Sequence, residues 1–375
     1  MIPARRHWLL NAAGLTAAYS LPAWAQSQPQ PSQPAAVPQR RFAPHPGAWR
    51  TFEVSTRVEV QQPEGVTRVW LPVPSVDGPW QRSVGHAWST NGQARLLADA
   101  VYGARMLYVE FAAGERRPWV ELSSRVRTLD RALPADGPRQ PASQDDLRFW
   151  TRPTALLPTD GIVRRTALQA VRGARSDEAK ARAIYDWVVR HSWREPTVRG
   201  CGEGDIKTML ETGNLGGKCA DLNALFVGLC RAAGLPARDV YGLRLAPSAF
   251  GYRELGGNPA SLQAAQHCRA EVWLQRYGWV AADPADVAKV MRQETGEWIQ
   301  DVRHPVVDPV YRGLFGGWEG NWVAWNMAHD VKLPQAQGPR LGFFMYPVCE
   351  TGGERLDSYA PDAFRYRITA RELKV

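Results

Sequence analysis

No stretch of the sequence reaches the roughly 18 consecutive apolar residues that a membrane span needs, so no integral membrane segment is expected in the mature chain. There is no CxxC, HxxxH or EF-hand spacing. The usual signatures of structural zinc and of calcium loops are therefore missing, and no metal or cofactor is expected. Long Lys/Arg runs and zinc-finger spacings are also absent. The net charge of +9, to which Arg5 and Arg6 contribute two, thus reads as a basic surface suited to anionic polymers or membrane surfaces, with no nucleic-acid partner expected. No internal repeat is evident. Cysteine is sparse: five in 375 residues, an odd number that leaves at least one thiol free or intermolecular outside the cytoplasm.

What is present describes a globular, exported chain. Hydrophobic residues make up 44% and charged residues 22%, enough for large cores in a chain long enough for two domains. Sixteen tryptophans point to heavy aromatic packing. Arg5-Arg6 precede a short apolar run, and Ala23-Trp24-Ala25 supplies a small-x-small cleavage site. Residues 1–25 therefore read as a twin-arginine signal peptide cleaved before Gln26, which places the mature protein in the periplasm. Residues 26–47 are rich in Gln, Pro, Ser and Ala and read as a linker.

From residue 48 the pattern alternates. Residues 51–60, 66–71, 105–111 and 119–126 are candidate strands separated by turn residues, which argues a β-sandwich-like domain over 48–130 with no chemical constellation of its own. Pro134, Pro138 and Pro141 mark an interdomain linker within 131–147. Apolar spacings of three and four over 161–171 and 176–191 then predict helices, the second capped by Ser176. Residues 291–375 form a C-terminal extension packed on the core. Within it, the Gly/Trp segment 313–322 is either a surface loop or a lid, and 364–369 is a final strand.

The chemistry gathers around Gly216-Gly217-Lys218-Cys219-Ala220-Asp221. Leu222, Leu225, Phe226, Leu229, Cys230 and Ala233 follow at helical spacing, and Gly234 and Pro236 end the helix. Cys219 therefore sits at a helix N-terminus, where unpaired amides and the helix dipole favour a thiolate. Asp221 is a first-turn partner of that dipole. Residues 267–274 and 279–283 alternate as two strands joined by a turn at Gly278. Such a hairpin brings His267 close to Asp283 and supplies a base and an orienter for the thiol.

At these residues the chain resembles the transglutaminase-like superfamily of papain-fold cysteine enzymes. Three blocks carry the likeness: Gly217-Lys218-Cys219-Ala220-Asp221 with its helix, His267 with Glu271-Val272-Trp273, and Gly278-Trp279-Val280 leading to Asp283-Pro284. The resemblance implies an α+β fold, in which the sandwich-like domain is followed by a helix-plus-antiparallel-sheet catalytic core over 145–290. It also implies a Cys219-His267-Asp283 triad working through a thioester on peptide, protein or cell-wall-derived amides. Hydrolysis is favoured over cross-linking. The backbone amide of Cys219 would be one oxyanion donor. Asn214 or Trp193 is the candidate for a second, with Trp187 a further indole by analogy with transglutaminases. A zinc site built from Cys219, Cys230, His267 and Cys268 and a non-catalytic periplasmic binding or scaffold protein are the competing readings. Pairing among Cys201, Cys230, Cys268 and Cys349 stays open, with a Cys201–Cys268 disulfide beside the site as one arrangement.

Overall fold

Alternation over the first strand becomes a half-buried ribbon. In β1 (Arg50–Val60), Phe52, Val54, Val58 and Val60 point into the protein, while Glu53, Arg57 and Glu59 are only partly covered. The structure is a computed structural model that describes residues 40–133 and 142–374. Residues 1–25, read as a signal peptide, most of the 26–47 segment read as a linker, and Pro134, Pro138 and Pro141 lie outside the described residues.

Strands β2 (Thr67–Pro72), β5 (Arg105–Phe111) and β6 (Trp119–Thr128) fall where their alternation places them. Two further strands, β3 (Gln81–Thr90) and β4 (Gln93–Ala98), carry no such signal. Each is the outer strand of its sheet and is largely solvent-exposed, so no buried face imposes an apolar period on it.

The end of the chain returns to complete these sheets. β17 (Phe364–Leu373) pairs antiparallel with β1 and gives the order β17-β1-β6-β3. β15 (Val348–Thr351), which carries β16 (Glu354–Arg355), pairs with β2 and gives β16-β15-β2-β5-β4. Val58, Val120, Leu122 and Phe364 from one sheet share an apolar cluster with Val69, Leu71, Val109 and Phe111 from the other, which makes a sandwich. The segment read as a C-terminal extension thus supplies strands to the N-terminal sheets.

The second half is a helical layer on an antiparallel sheet. Helices α1 (Gln144–Phe149), α2 (Gly161–Ala170) and α3 (Asp177–His191) come first. Ser176 caps α3 by accepting from Ala179 N–H, and Asp177 and Glu178 fill its first turn. Strand β7 (Trp193–Arg194), helix α4 (Ile206–Thr212) and strand β8 (Gly216–Gly217) lead into α5 (Cys219–Ala232). The apolar residues of α5 fall on the expected period, yet every residue of this helix is buried, polar ones included, so it is the central rod of the core. It packs against β9 (Ala237–Arg244) and β10 (Gln266–Leu274), with α2, α3 and α6 (Pro284–Gln293) around it. β11 (Gly278–Ala282) and β12 (Trp322–Asn326) complete the sheet in the order β11-β10-β9-β12. Helix α7 (Asp308–Gly313) and the hairpin of β13 (His329–Val331) with β14 (Leu341–Phe343) finish the fold. The architecture is α+β, as expected. No helix among the described residues is long and apolar enough to cross a membrane.

The Gly/Trp segment is neither an exposed loop nor a lid. Leu314, Trp318 and Trp322 are each 1% exposed, and Trp80, Trp318 and Trp322 form one aromatic stack behind the sheet. The segment is fastened to β11, where Gly316 N–H donates to Ala281 O and Asp283 N–H to Leu314 O. Its glycines allow close packing: a Cβ on Gly317 would lie 2.5 Å from Arg131 O.

Candidate active site

Cys219 is the first residue of α5 and Lys218 is its N-cap. The carboxylate of Asp221 organises this turn. Its Oδ2 accepts from Lys218 N–H at 2.9 Å, and its Oδ1 accepts from Glu203 N–H and Gly204 N–H, both at 2.9 Å. Asp221 is thus the clasp between the Gly200–Gly204 loop and the helix start, a stronger role than a first-turn dipole partner. The loop needs glycine to approach so closely. Gly202 has φ +89°, and a Cβ there would lie 1.8 Å from Asp221 Oδ2. Ala220 N–H donates to Cys201 O, which leaves the Cys219 amide at the mouth of the helix.

His267, near the start of β10, is held from both ends. Trp322 Nε1 donates to its backbone oxygen at 2.9 Å, and Gly242 on β9 leaves room for that indole. Its ring Nε2 lies 2.7 Å from Asp283 Oδ2 and 3.4 Å from Asp286 Oδ2. With Nε2 engaged, Nδ1 is the nitrogen left for a thiol. Asp283 is fully buried and caps α6: its Oδ1 accepts from Asp286 N–H at 3.0 Å and from Asn223 Nδ2 at 3.3 Å. Asn223 lies on α5, one helical turn after Cys219, so a single amide ties the helix to the carboxylate. Asp286 in turn is paired with the buried Arg244, and Arg269 Nε lies 3.7 Å from Asp283 Oδ2.

Two arginines and two aspartates therefore neutralise each other around the imidazole. A thiolate–imidazolium pair adds one charge of each sign, so proton transfer from Cys219 to His267 leaves the buried cluster neutral. Burial and Arg244 push His267 down, but Asp286 and Asp283 outweigh them and raise it to about 9. Cys219 is held well below the usual thiol value. The thiols of Cys201 and Cys268 act as donors to it, and the hydrogen bond and charge of His267 add to them against burial. Cys201 and Cys268 are themselves pushed well up, Cys201 by Cys219 and by burial, Cys268 by burial and by Cys219. They stay protonated where Cys219 is ionised.

Cys219 and His267 line one cavity of about 600 Å³. Cys201, Gln266, Tyr346 and Tyr366 contribute to its walls, so β17 of the sandwich reaches the site. Neither oxyanion candidate from the sequence lines this space. Asn214 is exposed and accepts from Gly216 N–H, and the Trp193 indole lies over Gly216, facing a different pocket. Trp187 stacks on His191 and also falls outside the lining. All five cysteines are free thiols, so the Cys201–Cys268 disulfide is not the arrangement found. Among the described residues, the group closest to a metal-ligand set is His267, Asp283 and Asp286, whose donor atoms lie within 4.8 Å of one another. Its two carboxylates already face Arg244 and Arg269, which occupy the place a cation would take. The zinc reading from the sequence rested on Cys230, which lies in the apolar core instead.

Sequence reasoning missed Asn223, Arg244, Gln266 and Asp286. Asp286 carried a signal, since it follows Asp283-Pro284 at the N3 position of a helix. Arg244 and Gln266 become visible only when strands are laid side by side, and Asn223 only when α5 is packed against the sheet.

A helix-borne cysteine facing a histidine–aspartate pair on an antiparallel sheet defines the papain-like class of cysteine-enzyme cores. The sequence profile of the Transglutaminase-like superfamily matches residues 164–284, which span all three residues. An uncharacterized protein of Haemophilus influenzae is 33% identical over 329 residues, covering 83% of this chain and 87% of its own length. Among solved structures, a Cytophaga hutchinsonii protein assigned as a candidate cysteine protease shares the fold with a TM-score of 0.55 at 13% identity, over 88% of this chain and 93% of that one. The chain belongs to the transglutaminase-like superfamily.

Proposed function

We propose that this protein is an exported cysteine hydrolase that cleaves amide bonds through a Cys219-His267-Asp283 triad. The observation that carries the reading is the cavity shared by Cys219, at the first position of α5, and His267, whose Nε2 is fixed by Asp283. The Cys219 thiolate attacks the amide carbonyl, forming a C–S bond. The C–N bond then breaks, and the amine leaves with a proton from His267. Water gives a proton to His267 and attacks the thioester, releasing the acid and the thiolate. The Cys219 backbone amide donates to the oxyanion. Gln266 is our candidate for the second donor: it lines the cavity next to the base, and its buried amide nitrogen has no partner among the described residues.

Hydrolysis is favoured over cross-linking by charge. Among the described residues, Arg194 and Lys218 line the cavity without an ion pair, Arg244 and Lys289 are paired with Asp286 and Glu254, and no lining residue carries a carboxylate. A protonated alkylamine acceptor is repelled there, whereas water is not. The Arg5-Arg6 motif and the Ala23-Trp24-Ala25 site support export to the periplasm, where peptide, protein and cell-wall-derived amides are within reach.

The test is iodoacetamide labelling of the mature protein across pH, with the modified residue identified by peptide mass. Fast labelling of Cys219 well below about pH 8.5, lost in His267→Ala, is expected. An ordinary thiol profile at Cys219 would reduce the protein to a scaffold on this fold.

A further inference from the structure

The cavity holds two cations that have no ion-pair partner among the described residues. Strand β7 runs parallel to β8 and sets Arg194 opposite Gly217, two residues before Cys219. Arg194 Nε donates to Gln293 Oε1 at 3.1 Å, which uses one donor of the guanidinium on a neutral group. No ion pair to Arg194 is found among the described residues. Lys218 is the N-cap of α5. Its backbone N–H is held by Asp221, and its ammonium has neither an ion pair nor a hydrogen bond among the described residues. The Asp221 carboxylate is taken up by three backbone amides.

The two charges also repel. Burial lowers the Lys218 ammonium, and Arg194 lowers it further; Lys289 is lowered by burial, with Arg244 and Arg194 among the cations that add to this. Lys289 has its own partner, Glu254 at 3.2 Å, and Arg244 has Asp286. Arg194 and Lys218 are left, both half-buried, both on the wall of the nucleophile's cavity. Two adjacent, partly desolvated cations cost free energy unless a ligand anion offsets them. The guanidinium keeps its two terminal nitrogens, a fork that matches a carboxylate.

Resting on the reading of Cys219 as the nucleophile, we propose that Arg194 and Lys218 form a carboxylate-binding subsite beside it. The amide cleaved then belongs to an acidic peptide, with a side-chain or terminal carboxylate close to the scissile bond. The subsite holds that anion between the guanidinium fork and the ammonium while the neighbouring carbonyl faces Cys219.

Two alkylating reagents of the same size separate this proposal from the reading beneath it. Iodoacetamide is neutral and iodoacetate carries a carboxylate. The ratio of the iodoacetate rate to the iodoacetamide rate at Cys219 is expected to exceed the same ratio for 2-mercaptoethanol by about tenfold. In Arg194→Gln and in Lys218→Gln it is expected to fall about fivefold, the size of one charge a few ångström away in a partly solvated site. Tetraglutamate is expected to protect Cys219 from iodoacetamide, and tetralysine is not. A ratio equal to that of the small thiol, a ratio unmoved in both variants, or equal protection by the two peptides overturns the subsite. Failure of both reagents to label Cys219 removes the nucleophile instead, and the subsite with it. Thermal melting of each variant identifies one that fails to fold.

Discussion

His267 and Asp283 are joined by a 2.7 Å contact between Nε2 and Oδ2, and the other oxygen of the same carboxylate caps helix α6 through Asp286 N–H. One side chain therefore fixes both the imidazole and the start of the helix after β11. The cap makes the carboxylate rigid, and the rigid carboxylate selects the tautomer with the proton on Nε2. Nδ1 is then the acceptor for the thiol proton.

Asp283→Asn separates these two roles. Asparagine is a good N-cap, so the fold is expected to persist, with a melting midpoint close to that of the parent. The amide no longer favours the proton on Nε2, so thiolate formation at Cys219 is expected to fall. Iodoacetamide labelling at about pH 6 should slow by about tenfold or more, and amide hydrolysis by about 10²- to 10⁴-fold. Undiminished labelling would remove Asp283 from the machinery.

Cys201 tunes Cys219 from outside the proposed triad. Its thiol is first among the groups that hold Cys219 low, and Gln266 O, 3.4 Å from its sulfur, is the competing acceptor for its single S–H. Cys201→Ala removes that donor, so the Cys219 pKa is expected to rise. The acidic limb of the labelling profile should move to higher pH while the alkaline limb of hydrolysis, set by His267, stays in place. A profile shifted on both limbs would mean that the loop, and not the thiol, had been lost.

Much of this architecture was legible in the chain. The Cys219 helix showed itself through its period and its Gly234-Pro236 stop, and β1, β2, β5 and β6 through alternation, because each buries one face. β3 and β4 were silent because edge strands in water need no apolar period. The Trp318–Trp322 segment misled because glycine and tryptophan in sequence look like a turn-rich surface, whereas here glycine makes room for buried indoles. Cys219, His267 and Asp283 could be singled out as the proposed triad because a nucleophile, a base and an orienter have restricted chemistry. Asn223, Arg244 and Gln266 could not, since their roles come from tertiary packing: Asn223 reaches Asp283 from α5, Gln266 is set opposite Leu243 by strand register, and Arg244 reaches Asp286 from β9 to α6.

The stability of the site rests on Asp221. Asp221→Ala leaves the amides of Lys218, Glu203 and Gly204 without their acceptor and opens a gap where the loop closes on α5. A loss of about 2–4 kcal/mol is expected in denaturant unfolding. Asp221→Asn should lose less, because an amide oxygen still accepts. A loss below about 0.5 kcal/mol for the alanine variant would show that water takes over the three donors.

The alkaline end of the active range belongs to His267 and is adjustable through Asp286. Below about pH 9 the imidazole carries its proton, and above the low pKa of Cys219 the sulfur has lost its own, so the thiolate–imidazolium pair exists between these limits. Hydrolysis, which needs the protonated imidazole to give the leaving amine its proton, should therefore decline as pH rises through about 9, whereas the thiolate persists and iodoacetamide labelling should not fall. Among the groups that raise His267, Asp286 comes first, against burial and Arg244. Asp286→Asn removes that support and frees Arg244 to repel the imidazolium, so both changes act in one direction and the limb should move to lower pH. The same variant leaves Arg244 buried without its carboxylate, held among the described residues only by Leu255 O, for which a loss of about 3–5 kcal/mol is expected. Arg244→Met in the same chain removes the stranded cation. It should recover part of the stability and bring the limb partly back, since the repulsion goes while the missing carboxylate does not return. NMR titration of His267 in the three proteins reads these shifts directly, and an alkaline limb that ignores Asp286 would assign the group titrating near pH 9 to something other than His267.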